Sequence, residues 1–174
     1  RKPMAVALGH TIVKNEAWTS RLDEFLEGGV RVVLGDQTIV DKGGVRKVLL
    51  CSGMMYDYLS EHQRERGIVD VAIVRLEQLA PFPFEALAGE LKDYGRGGVD
   101  IAWVQEDPAN YGAWSHVVTR WGRVRKAAVE LFGEGVVLDA ELQYIGREAQ
   151  AAQAVGFCSL ALKMRALLIE AAFE

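Results

Sequence analysis

From residue 45 onward, short apolar runs alternate with longer stretches in which apolar residues recur every three or four positions. Arg46 to Cys51 reads as a short apolar strand, followed by a helix from Gly53 to about Gly67. Val71 to Leu76 is the second strand, and its helix spans Pro83 to Asp93. Pro83 suits a first helical turn, and Phe84, Leu87, Ala88 and Leu91 form the stripe expected to be buried. Val99 to Val104 is the third strand; the helix after it carries Val117, Val118, Trp121, Val124, Ala128 and Leu131 on one face. Gly135 to Leu138 reads as the fourth strand. The last helix is expected to bury Phe157, Leu160, Ala161, Met164, Leu167, Leu168 and Ala171. This alternation predicts a three-layer α/β fold, a mostly parallel sheet covered by helices on both faces through right-handed crossovers.

Residues 1–44 are patterned more weakly and read as a connector with the end of a preceding domain, leaving 45–174 as the α/β domain. Met4 to Leu8 is a short apolar strand with no partner before it. Arg1-Lys2-Pro3 lacks an initiator methionine, and no secretory pattern follows, so a carboxy-terminal piece of a longer protein is expected. Thr19 or Ser20 is placed to cap a short helix through Glu24 and Phe25, ended by Gly28-Gly29. Val30 to Leu34 and Gln37 to Val40, separated by Gly35-Asp36, are spaced as a small hairpin.

Composition narrows the function classes. The 174 residues are 50% hydrophobic and 25% charged with a net charge of -4, which argues against a nucleic-acid partner. Lys163, Arg165 and Glu170 interrupt the longest apolar stretch, so no membrane span is predicted. Cys51 and Cys158 fit two buried free thiols in a reducing compartment better than a disulfide.

Familiar catalytic motifs are missing. Ser52-Gly53-Met54-Met55 after the first strand is no dinucleotide cradle, and Gly95, Gly97 and Gly98 precede a strand instead of opening a helix. His10, His62 and His116 lie far apart, without zinc spacing. Cys51 sits in an apolar strand without the electropositive setting of a reactive thiol. Glu106 and Asp107 are the paired carboxylates at the predicted sheet edge, where ligands of open α/β sheets are met. Paired acids can do acid–base work. Without a base or nucleophile nearby, a capping and interface role is favoured, with Pro108 fixing a turn and Asn110 capping the next helix.

Four blocks then carry a family resemblance. Gln105 to Trp114, Q-E-D-P-A-N-Y-G-A-W, resembles the Q-E-E-P-x-N-x-G-A-W element of the thiamine-diphosphate-dependent decarboxylase component of 2-oxoglutarate dehydrogenases. Lys47 to Leu59 resembles its strand-Cys-Ser-Gly-helix element, and Ile73 to Phe84 its R-x-E-Q-L-x-P-F-P segment. Tyr144-Ile145-Gly146-Arg147, followed by Gly156, resembles its Y-x-G-R...G stretch. The resemblance implies a transketolase-like carboxy-terminal domain of a homodimeric enzyme whose other domains hold thiamine diphosphate and Mg²⁺. The full enzyme would decarboxylate 2-oxoglutarate and pass the succinyl group to the lipoyl acyltransferase component. This part would hold no cofactor, perform no catalysis, and serve dimer assembly. In some relatives the domain binds an acyl-CoA effector, which makes Glu106, Asp107, Asn110, Trp114 and Arg147 the effector or interface candidates. Arg147 would either pair with phosphate or tie its loop to Glu106 or Asp107.

The sequence also departs from the family. The usual P-A-S-x-S-P-A-T-G run is replaced by Glu148 to Gly156, E-A-Q-A-A-Q-A-V-G, which would weaken an anionic site there. The family's P-K-S-L-L-R-H is replaced by Gly9 to Asn15. A paralogue acting on 2-oxoadipate and a stand-alone α/β binding or assembly module are the alternatives. The resemblance implies a mitochondrial matrix location in a eukaryote and a cytoplasmic one in a bacterium.

Overall fold

The structure is a computed structural model that describes residues 3, 19, 22–26, 29–94, 98–133 and 141–174. The chain forms two compact units, residues 1–30 and 31–174. In the first, the described element is a short helix, α1 (Leu22–Leu26). The expected strand from Met4 to Leu8, the cap at Ser20 and His10 lie outside the described residues.

The second unit is a five-stranded sheet of β1 (Val33–Leu34), β2 (Lys47–Cys51), β3 (Val71–Leu76), β4 (Asp100–Pro108) and β5 (Gln143–Arg147). Their spatial order is β1-β3-β2-β4-β5, with β1 antiparallel to β3 and every other pairing parallel. The helices are α2 (Met55–Arg66), α3 (Phe84–Leu91), α4 (Trp114–Phe132) and α5 (Cys158–Phe173). The predicted three-layer α/β architecture is therefore present.

Strand alternation splits the core in two. Val48, Leu50, Ala72, Val74, Ile101 and Trp103 face one side, against Leu87, Ala88 and Leu91 of α3 and Val117, Trp121, Val124 and Ala128 of α4. Leu49, Cys51, Val71, Ile73, Ala102 and Val104 face the other, against Met55 and Leu59 of α2 and Leu168, Ala172 and Phe173 of α5. Burial on both faces explains why the parallel strands read as unbroken apolar runs.

Several expectations are corrected. Residues 37–40 form no strand, so there is no hairpin; Val33 and Leu34 pair instead with Leu76 and Arg75. Asp36 explains the detour: its carboxylate accepts hydrogen bonds from Thr38, from Gln63 of α2 and from the Ile73 amide of β3. The fourth strand expected at Gly135 to Leu138 lies outside the described residues, and the sheet edge is held by Gln143–Arg147. Leu131 on α4 is exposed.

Helix α5 departs most. Of the stripe expected to be buried, Leu168 is buried, Ala161 and Met164 are half-buried, and Phe157, Leu160, Leu167 and Ala171 are exposed. The face meeting the sheet is turned toward Ala172 and Phe173. Arg46 donates to the carbonyls of Phe173 and Glu174, and the buried Lys47 ammonium donates to that of Ala172. Cations thus close the carboxyl end of the helix, where its dipole favours them. Cys51 is buried as expected, but Cys158, at the amino end of α5, is exposed.

Candidate functional site

The Gln105–Trp114 segment begins inside a strand, since β4 continues to Pro108 and Pro108 pairs with Arg147 across a register irregularity. Its organising residue is Gln105, buried beneath the strand end. The Gln105 side-chain oxygen accepts from the Trp103 indole at 2.8 Å and from the Ala113 and Trp114 amides at 3.1 and 2.9 Å. Its amide nitrogen lies within hydrogen-bonding distance of the carbonyls of Asp107, Pro108 and Tyr111. The first amides of α4 are therefore capped by Gln105, from eight and nine residues away in the chain.

Asn110 was expected to supply that cap and does not. Its side-chain oxygen accepts from the Gln150 amide and its nitrogen donates to the Gln150 carbonyl, at 3.0 and 2.9 Å. The Tyr111 hydroxyl donates to the Ala151 carbonyl. Trp114 is half-buried and packs on Tyr144, with ring centroids 5.0 Å apart. The Tyr144 hydroxyl lies 3.0 and 2.9 Å from the carbonyls of Asp107 and Arg147, and burial raises its pKa. A Cβ on Gly146 would run into that hydroxyl on the same strand and come within 2.9 Å of the Gln105 carbonyl of β4, so a side chain there would displace Tyr144 and crowd the β4–β5 pairing.

The two acids do not form a dyad. One oxygen of Glu106 accepts both Nε and a terminal nitrogen of Arg165, at 3.1 and 2.8 Å. Asp107 accepts from the Gln153 side-chain amide at 3.0 Å. Arg147 reaches neither carboxylate. It donates through Nε to the Glu106 carbonyl at 2.9 Å, and through its terminal nitrogens to Gln150 Oε1 and to the Gln153 carbonyl. Arg147 thus ties the loop at 148–157 to β4 through the main chain.

Together these groups line a cavity of about 330 Å³ between the carboxyl ends of β4 and β5, residues 153–155 of the loop, and α5. Glu106, Asp107 and Arg147 form its polar floor; Val155, Met164 and Leu168 are among its apolar walls. Asn110 and Trp114 stand outside the lining, one gripping the loop and the other bracing Tyr144. Arg165 was missed by the sequence reading. Its guanidinium stacks over the Tyr58 ring at 4.1 Å. Burial raises the Tyr58 pKa, with Arg165 pulling the other way. The available signal was its spacing with Ala161, Met164 and Leu168, which puts a cation on the face of α5 turned to the sheet. Among the described residues, no three His, Cys, Asp or Glu side chains gather as a metal site.

The family described as 2-oxoglutarate dehydrogenase C-terminal matches residues 19–173. The 2-oxoglutarate dehydrogenase E1 component of Cupriavidus necator is 34% identical over 173 residues, 99% of this chain and 17% of that protein. The Haemophilus influenzae E1 component is also 34% identical, over 100% of this chain and 17% of its own length. A Dictyostelium discoideum protein named "Probable 2-oxoadipate dehydrogenase complex component E1 homolog" is 34% identical over 98% of this chain and 18% of its own length. The chain therefore spans less than a fifth of these relatives. With its match running over residues 19–173, the chain belongs to the 2-oxoglutarate dehydrogenase C-terminal family.

Proposed function

We propose that this chain is the carboxy-terminal part of a thiamine-diphosphate-dependent E1 component that decarboxylates 2-oxoglutarate and passes the succinyl group to a lipoyl acyltransferase partner. The observation that carries the reading is the match over residues 19–173 to a family found in E1 components. The chain itself is catalytically silent in this proposal. Glu106 and Asp107 are engaged by Arg165 and Gln153, and no nucleophile or free base stands beside them among the described residues. Among the described residues no three His, Cys, Asp or Glu side chains gather to hold a metal ion, and this reading places no thiamine diphosphate or Mg²⁺ on the chain. They are assigned to the rest of the enzyme.

The chain's role is assembly. Leu160, Leu162 and Leu167 of α5 remain exposed, which favours contact with a second copy in a homodimer. Glu106 holds α5 through Arg165, while Asp107, Asn110 and Arg147 hold the loop that precedes α5 and Trp114 braces Tyr144. An acyl-CoA effector on Arg147 gains little from the geometry, since that guanidinium already donates to three protein oxygens. A 2-oxoadipate enzyme is the second reading, favoured by a relative of that name at the same 34% identity. Among the described residues no helix is long and apolar enough to cross a membrane; with most matched relatives bacterial, a cytoplasmic location is proposed.

The test is turnover by the full-length protein containing this chain. With thiamine diphosphate, Mg²⁺ and an artificial electron acceptor, it is expected to oxidise 2-oxoglutarate faster than 2-oxoadipate. No turnover of either acid overturns the enzyme assignment; preference for 2-oxoadipate selects the second reading. Tight binding of thiamine diphosphate and Mg²⁺ by the isolated chain, read by calorimetry, contradicts the division of labour.

A further inference from the structure

We propose that the cavity beneath α5 binds a small aliphatic monocarboxylate, its head taking the place of Glu106 on the Arg165 guanidinium. The Arg165–Glu106 pair is asymmetric. The Arg165 side chain is 23% exposed and rests on the Tyr58 ring, whereas that of Glu106 is 46% exposed. The cation is held in place, while the acid can turn into water at small cost in desolvation. Both Arg165 donors also converge on a single Glu106 oxygen. An incoming carboxylate offering one oxygen to each donor makes the two-pronged geometry that this pair lacks.

Charge and shape point the same way. Arg147 donates to two main-chain carbonyls and a side-chain amide, and among the described residues no carboxylate pairs with it directly. When Glu106 swings out, the lining holds two guanidinium groups against the single carboxylate of Asp107, which complements one negative charge. Beyond the head, Val155, Ala161, Met164 and Leu168 supply an apolar wall for an alkyl chain. A volume of about 330 Å³ suits a small molecule. The proposal goes beyond the enzyme assignment and does not depend on it.

The chain has four methionines, and Met164 lines the cavity. With methyl-¹³C methionine in the intact chain, the Met164 resonance is identified by its loss in Met164→Leu. Sodium hexanoate is the probe, with hexylamine hydrochloride and hexanol as matched chains and sodium chloride as the ionic-strength control. Saturable movement of the Met164 resonance is expected with hexanoate alone. Arg165→Gln is expected to weaken it at least about tenfold, the scale of one charge-assisted contact. Glu106→Gln, which removes the internal competitor, is expected to tighten it, an effect a purely structural pair would not produce. Should Arg165→Gln fail to fold, Arg165→Lys keeps the charge, loses the two-donor fork, and is expected to bind more weakly than the parent. No hexanoate response, equal responses to hexylamine or hexanol, or unchanged affinity in the Arg165 variants each overturn the proposal. Because the titration involves neither thiamine diphosphate nor turnover, its failure is distinguishable from failure of the enzyme assignment.

Discussion

Gln105 joins a buried indole, the first amides of α4 and three turn carbonyls through one side chain. Gln105→Leu keeps most of the volume and strands those partners in a buried setting. It is expected to cost about 3 kcal/mol by urea denaturation, since each unsatisfied buried group costs roughly 1–3 kcal/mol. A loss under 1 kcal/mol would mean that water replaces the side chain at little expense. Gly112 has φ of +64°, and a Cβ there would lie 2.9 Å from oxygens of both Asp107 and Gln105. Gly112→Ala is expected to cost at least about 1–2 kcal/mol from the left-handed backbone alone. At this scale the sequence was partly legible. The motif marked the ten-residue segment that Gln105 organises, but the cap was assigned to Asn110 because local capping rules favour a nearby Asn. The actual cap comes from within a strand, a contact that spacing along a helix cannot reveal.

The elements divide by how much direction their apolar residues carry. In α3, Leu87, Ala88 and Leu91 recur on one face, so the buried side was readable. In α5, Leu160, Ala161, Leu162, Met164, Leu167, Leu168, Ile169 and Ala172 cover most of the circumference. Periodicity then fixes the helix without fixing its orientation. Strand β5 was unread because Gln143-Tyr144-Ile145-Gly146-Arg147 is an edge strand without an apolar run. What orients α5 is long-range: the carbonyls at its carboxyl end are held by Arg46 and Lys47. Arg46→Ala is expected to cost about 1 kcal/mol, from the loss of a cation at a helix carboxyl end. Hydrogen exchange should become faster in the last turn of α5 while α3 is unchanged; exchange unaltered at residues 170–173 would assign the anchoring to packing alone.

For the molecule as a whole, burial makes stability sensitive to alkali. The Cys51 thiol is pushed up to about 12 from 9.0, chiefly by burial, and burial raises Tyr56, Tyr58 and Tyr144 as well. A group whose folded pKa is raised leaves stability intact below its unfolded pKa. Above it, the unfolded chain loses the proton first, and stability falls. For Cys51 the fall lies between about pH 9 and 12. Urea midpoints are expected to drop from pH 8 to pH 10.5, and less steeply in Cys51→Ala; identical slopes in the two proteins would remove Cys51 from the effect. In the proposed full-length homodimer, Leu160→Glu with Leu167→Glu is expected to shift the solution mass toward monomer, and a mass unchanged from the parent by light scattering would clear that face of the role. The layered fold was legible because strands buried on both sides must be continuously apolar. The cavity was not, because β4, β5 and α5 supply it from distant parts of the chain.

The grip on residues 150–153 has a consequence for how such a chain can change. Asn110, Tyr111 and Arg147 hold that stretch by its main-chain amide and carbonyls. Any residue offers the same carbonyls, and any but proline the same amide. Apart from the side-chain contacts of Gln150 and Gln153, the wall they hold is therefore an exchangeable panel in a fixed frame, whose side chains can be rewritten while the main-chain fastening stays as it is.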